Sequence, residues 1–359
     1  MVKILLSGNE AIGEGAIQAG CFFYAGYPIT PQNELTAYMA KRMPEEKRIF
    51  IQAESEISAI NMVLGASACG FRAMTSSSSP GISLKQEGIS YLAGCQLPAV
   101  IVNIMRAGPG LGNIFPAQSD YFQATKGGGH GDYHLIVLAP SSVQEAFDFM
   151  FWAFDLADEY RNPVMILGDG MLGQMMEPLI VQSSKFIVNR KKLRTTNYQL
   201  RTKRWALTGC KDRKPNIIRS FYLTQKELEE NNLILQRKYK RIKEKEARWE
   251  EFNLKEPKII LVAYGTMARI AKGVIKKLKD KKIGLIRPIT LWPFPEKIFK
   301  ELTLKNKDLT FLVLEMSYGQ MLEDVKLAVE GKAKVEFLGR AGGGIPTEEE
   351  IIDKIKSLK

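Results

Sequence analysis

Ala25-Gly26-Tyr27-Pro28-Ile29-Thr30-Pro31 decides how this chain is read. Two prolines bracket Ile29-Thr30, fix φ on both sides and bar a helix at the residue before each. The threonine hydroxyl therefore stands on a stiff, extended turn. The run follows a strand-like opening at 2–6 and a short helical stretch, where an α/β sheet presents a loop to a ligand. Such a turn can hold a substrate group in place, but taken alone the run reads as an ordinary structural turn. The residues downstream decide between the two.

Working outward, apolar strands at 2–6, 48–52, 73–75, 99–103, 134–139 and 164–168 alternate with helical stretches at 9–19, 31–43, 56–69, 83–93 and 142–160. That alternation predicts βα units around a mainly parallel sheet covered on both faces. Small-residue loops at 76–81 and 127–131 belong to the class found at strand carboxyl ends facing ligands. A charged helix is expected over 224–252, N-capped by Thr224 with Glu227 at capping-box spacing, and Leu228, Leu235, Tyr239 and Ile242 form its apolar stripe. Beyond Pro257 the alternation resumes. The predicted organisation is a first α/β domain over 1–185, a basic helical connector over 186–256 and a smaller α/β domain over 257–359.

Of 359 residues, 45% are hydrophobic and 25% charged, as in ordinary soluble globular chains. No apolar run reaches the ~18 residues of a membrane span, and the one at 2–6 is too short for a secretory signal, so a cytoplasmic protein is expected. The net charge of +12 is unevenly placed. Residues 1–185 carry 11 Lys+Arg against 17 Asp+Glu, a balance of −6, whereas 186–256 carry 20 against 9 and 257–359 carry 20 against 13. No aromatic-basic RNA motif, zinc finger or basic zipper accompanies this excess, so nucleic acid is not the expected partner. It reads as a solvated basic face or as a surface for an acidic protein. Cys21, Cys69, Cys95 and Cys210 are scattered without CxxC spacing, three of them in apolar surroundings like buried free thiols. His130 and His134 are the two histidines; Gly131 lies between them and no third ligand is near, so no metal site is expected on this chain.

Further motifs run through the chain: Gln52-Ala53-Glu54-Ser55-Glu56-Ile57-Ser58-Ala59-Ile60, the small-residue helix 62–70, and Asn103-Ile104-Met105-Arg106-Ala107-Gly108-Pro109-Gly110. With them go Pro116-Ala117-Gln118-Ser119-Asp120, Ala139 to Ala146, Arg287 to Pro295 and Gly339 to Thr347. Together with the opening run these resemble the α subunit, which carries the pyrimidine domain, of the 2-oxoacid:ferredoxin oxidoreductases. Ser76 to Gly81 and Gly168 to Gln174 look most like the branched-chain (2-oxoisovalerate) members, and the chain is also similar to the 2-oxoglutarate members. The resemblance implies a thiamine-enzyme pyrimidine-type parallel-sheet domain followed by a smaller domain like the transketolase C-terminal domain. It implies oxidative decarboxylation of a 2-oxoacid to acyl-coenzyme A and carbon dioxide, with coenzyme A as substrate and electrons leaving to ferredoxin.

Glu56 opens a helix of small and apolar residues, where partial desolvation raises a carboxyl's pKa and lets it share a proton strongly. By motif position the resemblance makes Glu56 the glutamate that bonds the aminopyrimidine N1′ of thiamine diphosphate; Glu54 is the competing assignment. Tyr27, Pro28 and Ile29 are implied as cofactor neighbours. Thr30 and Arg106 are candidates for holding the 2-oxoacid carboxylate, because a hydroxyl gives one directed bond and a guanidinium a bidentate grip. Arg106 ends an apolar strand before a Gly-Pro-Gly loop; an interface ion pair is its structural alternative. His130, on its glycine loop, is placed at the mouth of the site. Gly168-Asp169-Gly170 opens like the metal–diphosphate motif of thiamine enzymes, but Asn231-Asn232 lies far too distant to close it. Asp169 is therefore read as a loop residue. The resemblance then assigns the diphosphate and its Mg2+ to a β subunit, and [4Fe-4S] clusters to γ and δ subunits, in a hetero-oligomer active only when assembled. A non-catalytic assembly subunit and a self-sufficient transketolase-like enzyme are the rival readings. The glycines 342–344 and Gly265-Thr266 read as structural turns rather than phosphate cradles.

Overall fold

The computed structural model describes residues 3–181, 203–306 and 308–358, so the expectations for Val2 and for 182–202 lie outside the described residues. In chain order the first domain contains β1 (Lys3–Ser7), α1 (Gly8–Gln18), β2 (Phe23–Gly26), α2 (Asn33–Glu45), β3 (Ile49–Gln52), α3 (Glu56–Ala68), β4 (Ala73–Ser77) and α4 (Ser79–Gly94). It continues with β5 (Ala99–Met105), α5 (Tyr121–Thr125), β6 (Ile136–Leu138), α6 (Val143–Tyr160), β7 (Pro163–Asp169), α7 (Gly170–Gln174) and β8 (Met176–Ile180). After the basic stretch come α8 (Gln225–Glu246) and β9 (Trp249–Phe252). The second domain adds β10 (Ile259–Val262), α9 (Gly265–Leu278), β11 (Ile283–Pro288), β12 (Thr290–Trp292), α10 (Glu296–Lys305), β13 (Thr310–Glu315), α11 (Gln320–Val329), β14 (Lys334–Gly339) and α12 (Glu348–Ser357).

The main sheet has seven strands in the order β12-β6-β7-β5-β4-β2-β3, parallel except for β12. β5 and β7 are buried at every position, which is why both read as unbroken apolar runs rather than alternating ones. Helix starts follow their caps: Ser55 accepts from the Ser58 amide and Ser142 from the Glu145 amide. The second sheet has the order β14-β13-β10-β11-β9 and is parallel except for β9. The parallel-sheet expectation is met in both domains.

Several local expectations are corrected. β1 does not enter the main sheet; it pairs antiparallel with β8, Lys3 opposite Ile180. A strand at Phe23–Gly26 leads into the Tyr27 turn and was not legible at four residues. The expected loop at 76–81 shrinks to Ser78, since β4 runs to Ser77 and α4 starts at Ser79. The charged helix stops at Glu246, because residues 249–252 are captured by β11 as an antiparallel edge strand. Leu235, Tyr239 and Ile242 are buried, but Leu228 is exposed. Contacts with the first domain begin near Asn231 and run through Gln236 Nε2 on the Asp132 carbonyl and Lys238 Nζ on the Arg161 carbonyl to Tyr160 Oη, which donates to Glu246. All four cysteines are free, but Cys21 alone among them is fully buried; Cys69 and Cys95 are half-buried and Cys210 is exposed.

The two domains interlock. β12 leaves the second domain and pairs antiparallel with β6, Thr290 opposite Leu138. Arg287, almost fully buried, donates to both Glu145 oxygens at 2.7 and 3.0 Å and to Glu250 at 2.7 Å. Removing one partner of such a buried cluster costs about 3–5 kcal/mol. Gln118 exchanges bonds with Tyr264 and Met316 across the same junction. Among the described residues no helix is long and apolar enough to cross a membrane.

Candidate active site

Because β3, β2, β4, β5 and β7 are parallel neighbours, their carboxyl ends share one edge of the sheet. The chain reverses its direction of strand addition between β2 and β4: β3 is laid outside β2, then α3 carries the chain back to β4. A crevice opens at such a switch point. Into it come the Tyr27-to-Pro31 turn after β2, Glu56 after β3, Ser77 and Ser78 at the end of β4, and Arg106 after β5.

Glu56 is the first residue of α3 and is buried. Its carboxylate lies against Gly81 of α4, where a Cβ would stand 2.6 Å from Oε1, and the Ser77 hydroxyl crowds the same spot. Only glycine leaves space there. The Ser77 and Ser78 hydroxyls are buried and lack a protein partner. Glu54, by contrast, is exposed and accepts from the Ser58 hydroxyl, which holds its carboxyl below the usual range.

The Thr30 turn is held from three sides. Asn9 Nδ2 and Gln174 Nε2 donate to the Pro31 carbonyl at 2.8 and 3.0 Å, and Arg106 Nη1 donates to the Thr30 carbonyl at 3.0 Å. Beneath it, Gln32 accepts from Ser76 at 2.6 Å and from Thr36 at 3.2 Å. Tyr27 and Pro28 are exposed, and Ile29 and Thr30 are half-buried. Arg106 is buried; Nη2 donates to the Leu111 carbonyl at 3.1 Å, and Nε is buried without a partner. The guanidinium thus clamps two loops and keeps a free donor. Its backbone is fixed as well, because Ser79 Oγ accepts from the Arg106 amide at 3.0 Å and lies 2.6 Å from Asp120. Asp120 also accepts from Asn103 Nδ2 at 2.9 Å, and burial pushes its carboxyl up. Sequence reasoning had no use for Asp120 beyond its motif.

Glu56, Thr30 and Arg106 are therefore brought to one edge. His130 stands apart from them, exposed on the 127–131 loop, which rests on Gln86 and Ser90 in the second half of α4. His134 stacks on Trp292 at 4.5 Å, and burial lowers its ring to about 4, so it is a packing residue. Among the described residues no group of three His, Cys, Asp or Glu is placed to hold a metal. Asp169 is not a loose loop residue: it ends β7, caps α7 and accepts from the Thr266 hydroxyl at 2.7 Å and amide at 3.1 Å. That bond also accounts for Gly265-Thr266. The glycines 342–344 buttress the Arg106 loop, since Asn113 Nδ2 donates to the Gly342 carbonyl and Gly343 lies against Phe115.

Burial lowers two lysines of the first domain's surroundings, Lys85 and Lys238, to about 7 from 10.5. Between these values the unfolded chain binds more protons than the folded one, so stability rises with pH over that window. Urea unfolding midpoints are expected to climb between pH ~7 and ~9, and Lys238→Met should remove part of the climb. A midpoint that falls over this range would show these amines to be protonated in the folded chain.

A parallel sheet that gathers a buried helix-start glutamate, a stiff threonine turn and an arginine at one edge, with a second α/β domain docked behind, is the pyrimidine half and C-terminal domain of a thiamine diphosphate enzyme. Residues 14–241 match the family model of the thiamine-diphosphate-binding part of pyruvate flavodoxin/ferredoxin oxidoreductase, and 257–351 match pyruvate:ferredoxin oxidoreductase core domain II. The chain belongs to the 2-oxoacid:ferredoxin oxidoreductase family. It is 49% identical to ketoisovalerate oxidoreductase subunit VorB of Methanothermobacter marburgensis, over 100% of this chain and 98% of that one. It is 35% identical to 2-oxoglutarate synthase subunit KorA of Methanocaldococcus jannaschii, over 96% and 97%. The 2-oxoglutarate:ferredoxin oxidoreductase of Magnetococcus marinus, solved with 2-oxoglutarate, coenzyme A and succinyl-CoA bound, superposes with a TM-score of 0.86 at 27% identity. The match covers 99% of this chain and 65% of that longer one.

Proposed function

We propose that this chain is the pyrimidine-side subunit of an enzyme that oxidatively decarboxylates a branched-chain 2-oxoacid, such as 3-methyl-2-oxobutanoate, to its acyl-CoA with electrons passing to ferredoxin. The observation that carries the reading is the set of groups gathered at the carboxyl edge of the sheet. A buried carboxylate facing Gly81, two buried hydroxyls without a protein partner and an arginine with a free buried donor supply acceptors and donors of the kind an aminopyrimidine and a carboxylate need. When bound, thiamine diphosphate supplies the carbon nucleophile for the 2-oxo group. Glu56 holds the proton shared with the aminopyrimidine N1′. Tyr27, Pro28 and Ile29 border the ring, and Thr30 and Arg106 hold the substrate carboxylate. The diphosphate and Mg2+ fall to a β subunit, because the one motif aspartate, Asp169, is committed to Leu172 and Thr266. The [4Fe-4S] clusters and electron exit fall to γ and δ subunits.

The substrate class follows from what surrounds Arg106. Leu111, Ile114 and Phe115 on its loop are apolar and exposed, an open greasy wall. The nearby cation Lys126 is already paired with Asp324. Where a partner subunit closes over this wall in the assembled complex, a distal carboxylate would be buried without a partner charge, which is far more costly than a missing methylene at about 1–3 kcal/mol. In the assembled complex, kcat/KM for 3-methyl-2-oxobutanoate is expected to exceed that for 2-oxoglutarate by a factor on the order of a hundred, with loose discrimination among branched acids. Fastest ferredoxin reduction with 2-oxoglutarate would overturn the assignment and turn attention to Lys126 and His130. VorB, the relative 49% identical over the whole length, is named for ketoisovalerate, which supports the same choice.

A further inference from the structure

Asp120 precedes α5 at the N-cap position, where an aspartate ordinarily accepts from an amide of the first turn. Its backbone, at φ −95° and ψ 12°, lies outside the extended region of a side-chain cap, and its carboxylate makes no such bond. The Phe122 amide donates instead to Gln320 Oε1 at 2.8 Å, and Gln320 Nε2 donates to the Ser119 carbonyl at 2.7 Å. One side chain of the second domain thus brackets Asp120 from both flanks. Gln320 has a rigid base as the first residue of α11, whose Met321 and Leu322 amides donate to the buried Glu315 carboxylate at 3.0 and 2.9 Å. One turn further on, Asp324 accepts from Tyr121 Oη at 2.5 Å, so α11 grips α5 twice.

With the Phe122 amide taken by Gln320, the Asp120 carboxylate is free to turn toward the substrate edge. Its Oδ2 accepts from Asn103 Nδ2 at 2.9 Å and from Ser79 Oγ at 2.6 Å. The Ser79 hydroxyl has one proton and a second acceptor in reach, the Arg106 carbonyl at 3.1 Å. The carboxylate is nearer and the stronger acceptor, so it takes the proton. That leaves the Ser79 oxygen aimed at the Arg106 amide, 3.0 Å away. Arg106 also forms an antiparallel bridge with Pro116, which closes the loop between them. Gln320, Asp120, Ser79 and Arg106 therefore make one continuous series of contacts from the second domain to the backbone that carries the guanidinium.

We propose that Asp120 and Gln320 are positioning residues for the 2-oxoacid, acting through Ser79 on Arg106, so that the second domain sets how firmly the substrate carboxylate is held; the proposal rests on Arg106 being the residue that receives that carboxylate. Breaking a link loosens the Arg106 backbone and leaves Glu56 untouched, so the effect falls on KM rather than kcat.

The test uses the assembled complex and two readouts, backbone hydrogen exchange over 105–110 and steady-state kinetics with 3-methyl-2-oxobutanoate. In Asp120→Ala, exchange there is expected to speed up about fivefold or more. KM should rise about tenfold while kcat stays within about twofold. Asp120→Asn keeps an acceptor oxygen for Ser79 and should hold KM within about threefold of wild type. Gln320→Leu is expected to raise KM about fivefold alone, but less than about twofold in the Asp120→Ala background, where the carboxylate it directs is gone. Unchanged exchange in Asp120→Ala, KM effects that simply multiply in the double variant, or a loss confined to kcat would make these contacts merely structural and overturn the proposal. If Asp120→Ala fails to assemble, Ser79→Ala breaks the same link from its other end and must give the same rise in KM. Faster exchange with KM unchanged in Asp120→Ala but raised in Arg106→Lys overturns the proposal alone. An unchanged KM in both variants defeats the reading of Arg106, and the proposal with it.

Discussion

Glu56→Gln, introduced into the assembled complex, is expected to leave the subunits associated and to lower turnover by a factor on the order of a hundred or more. Glutamine has the same shape and fills the gap opposite Gly81, so assembly should survive. What it loses is the ability to take up and return the proton shared with a ring nitrogen. KM for the 2-oxoacid should move little, because the carboxylate grip lies on other loops. Glu54→Gln is the internal comparison: that side chain points to solvent and its bond to Ser58 merely trims a helix start, so turnover should stay within about threefold. Steady-state ferredoxin reduction by the two variants decides the matter. Equal losses, or the reverse ranking, would move the cofactor contact to Glu54.

Arg106→Lys should act on the other parameter, raising KM for the 2-oxoacid by a factor on the order of a hundred. The guanidinium holds the Thr30 and Leu111 carbonyls with different nitrogens and still keeps Nε free. A lysine ammonium is a single point on a flexible stem and cannot hold both loops while gripping a carboxylate. The split between a kcat effect at Glu56 and a KM effect at Arg106 separates proton sharing from substrate holding. An unchanged KM in Arg106→Lys would mean that the arginine is only a loop clamp and that another residue receives the carboxylate.

Part of this site could be read from the chain alone: Glu56 and Arg106 each come soon after an apolar run, at 48–52 and 99–103, and Thr30 stands out by its two prolines. Parallel strands bring such positions to one edge, but the short strand Phe23–Gly26 that carries Thr30 there was not legible, so only the motif resemblance joined it to the other two. The partners of those strands were another matter. Nothing local in Lys3–Ser7 says that it pairs with Met176–Ile180 rather than joining the main sheet, or that Thr290–Trp292 crosses to the other domain. Pairing partners are chosen by long-range packing, and a short apolar run carries no record of them. Lys85 was hidden for a different reason. Between Leu84 and Gln86 it looks like any lysine on an amphipathic helix, and only the depth of α4 against β4 shows that its amine lies inside. Asp169 was read as a loop residue once its motif failed to close, whereas it ends a buried strand and bonds Thr266 of the second domain, a partner no local run announces.

The strand exchanged between the domains has a consequence for how this chain can be divided. The two family models meet near residue 257, which invites cutting the gene there to make a smaller first module. Such a fragment would lack Thr290–Trp292 and leave Ile136–Leu138, three buried apolar residues, as a naked sheet border with unpaired amides and carbonyls. Borders of that kind recruit one another, so the truncated product should clump on expression instead of behaving as an autonomous half-enzyme.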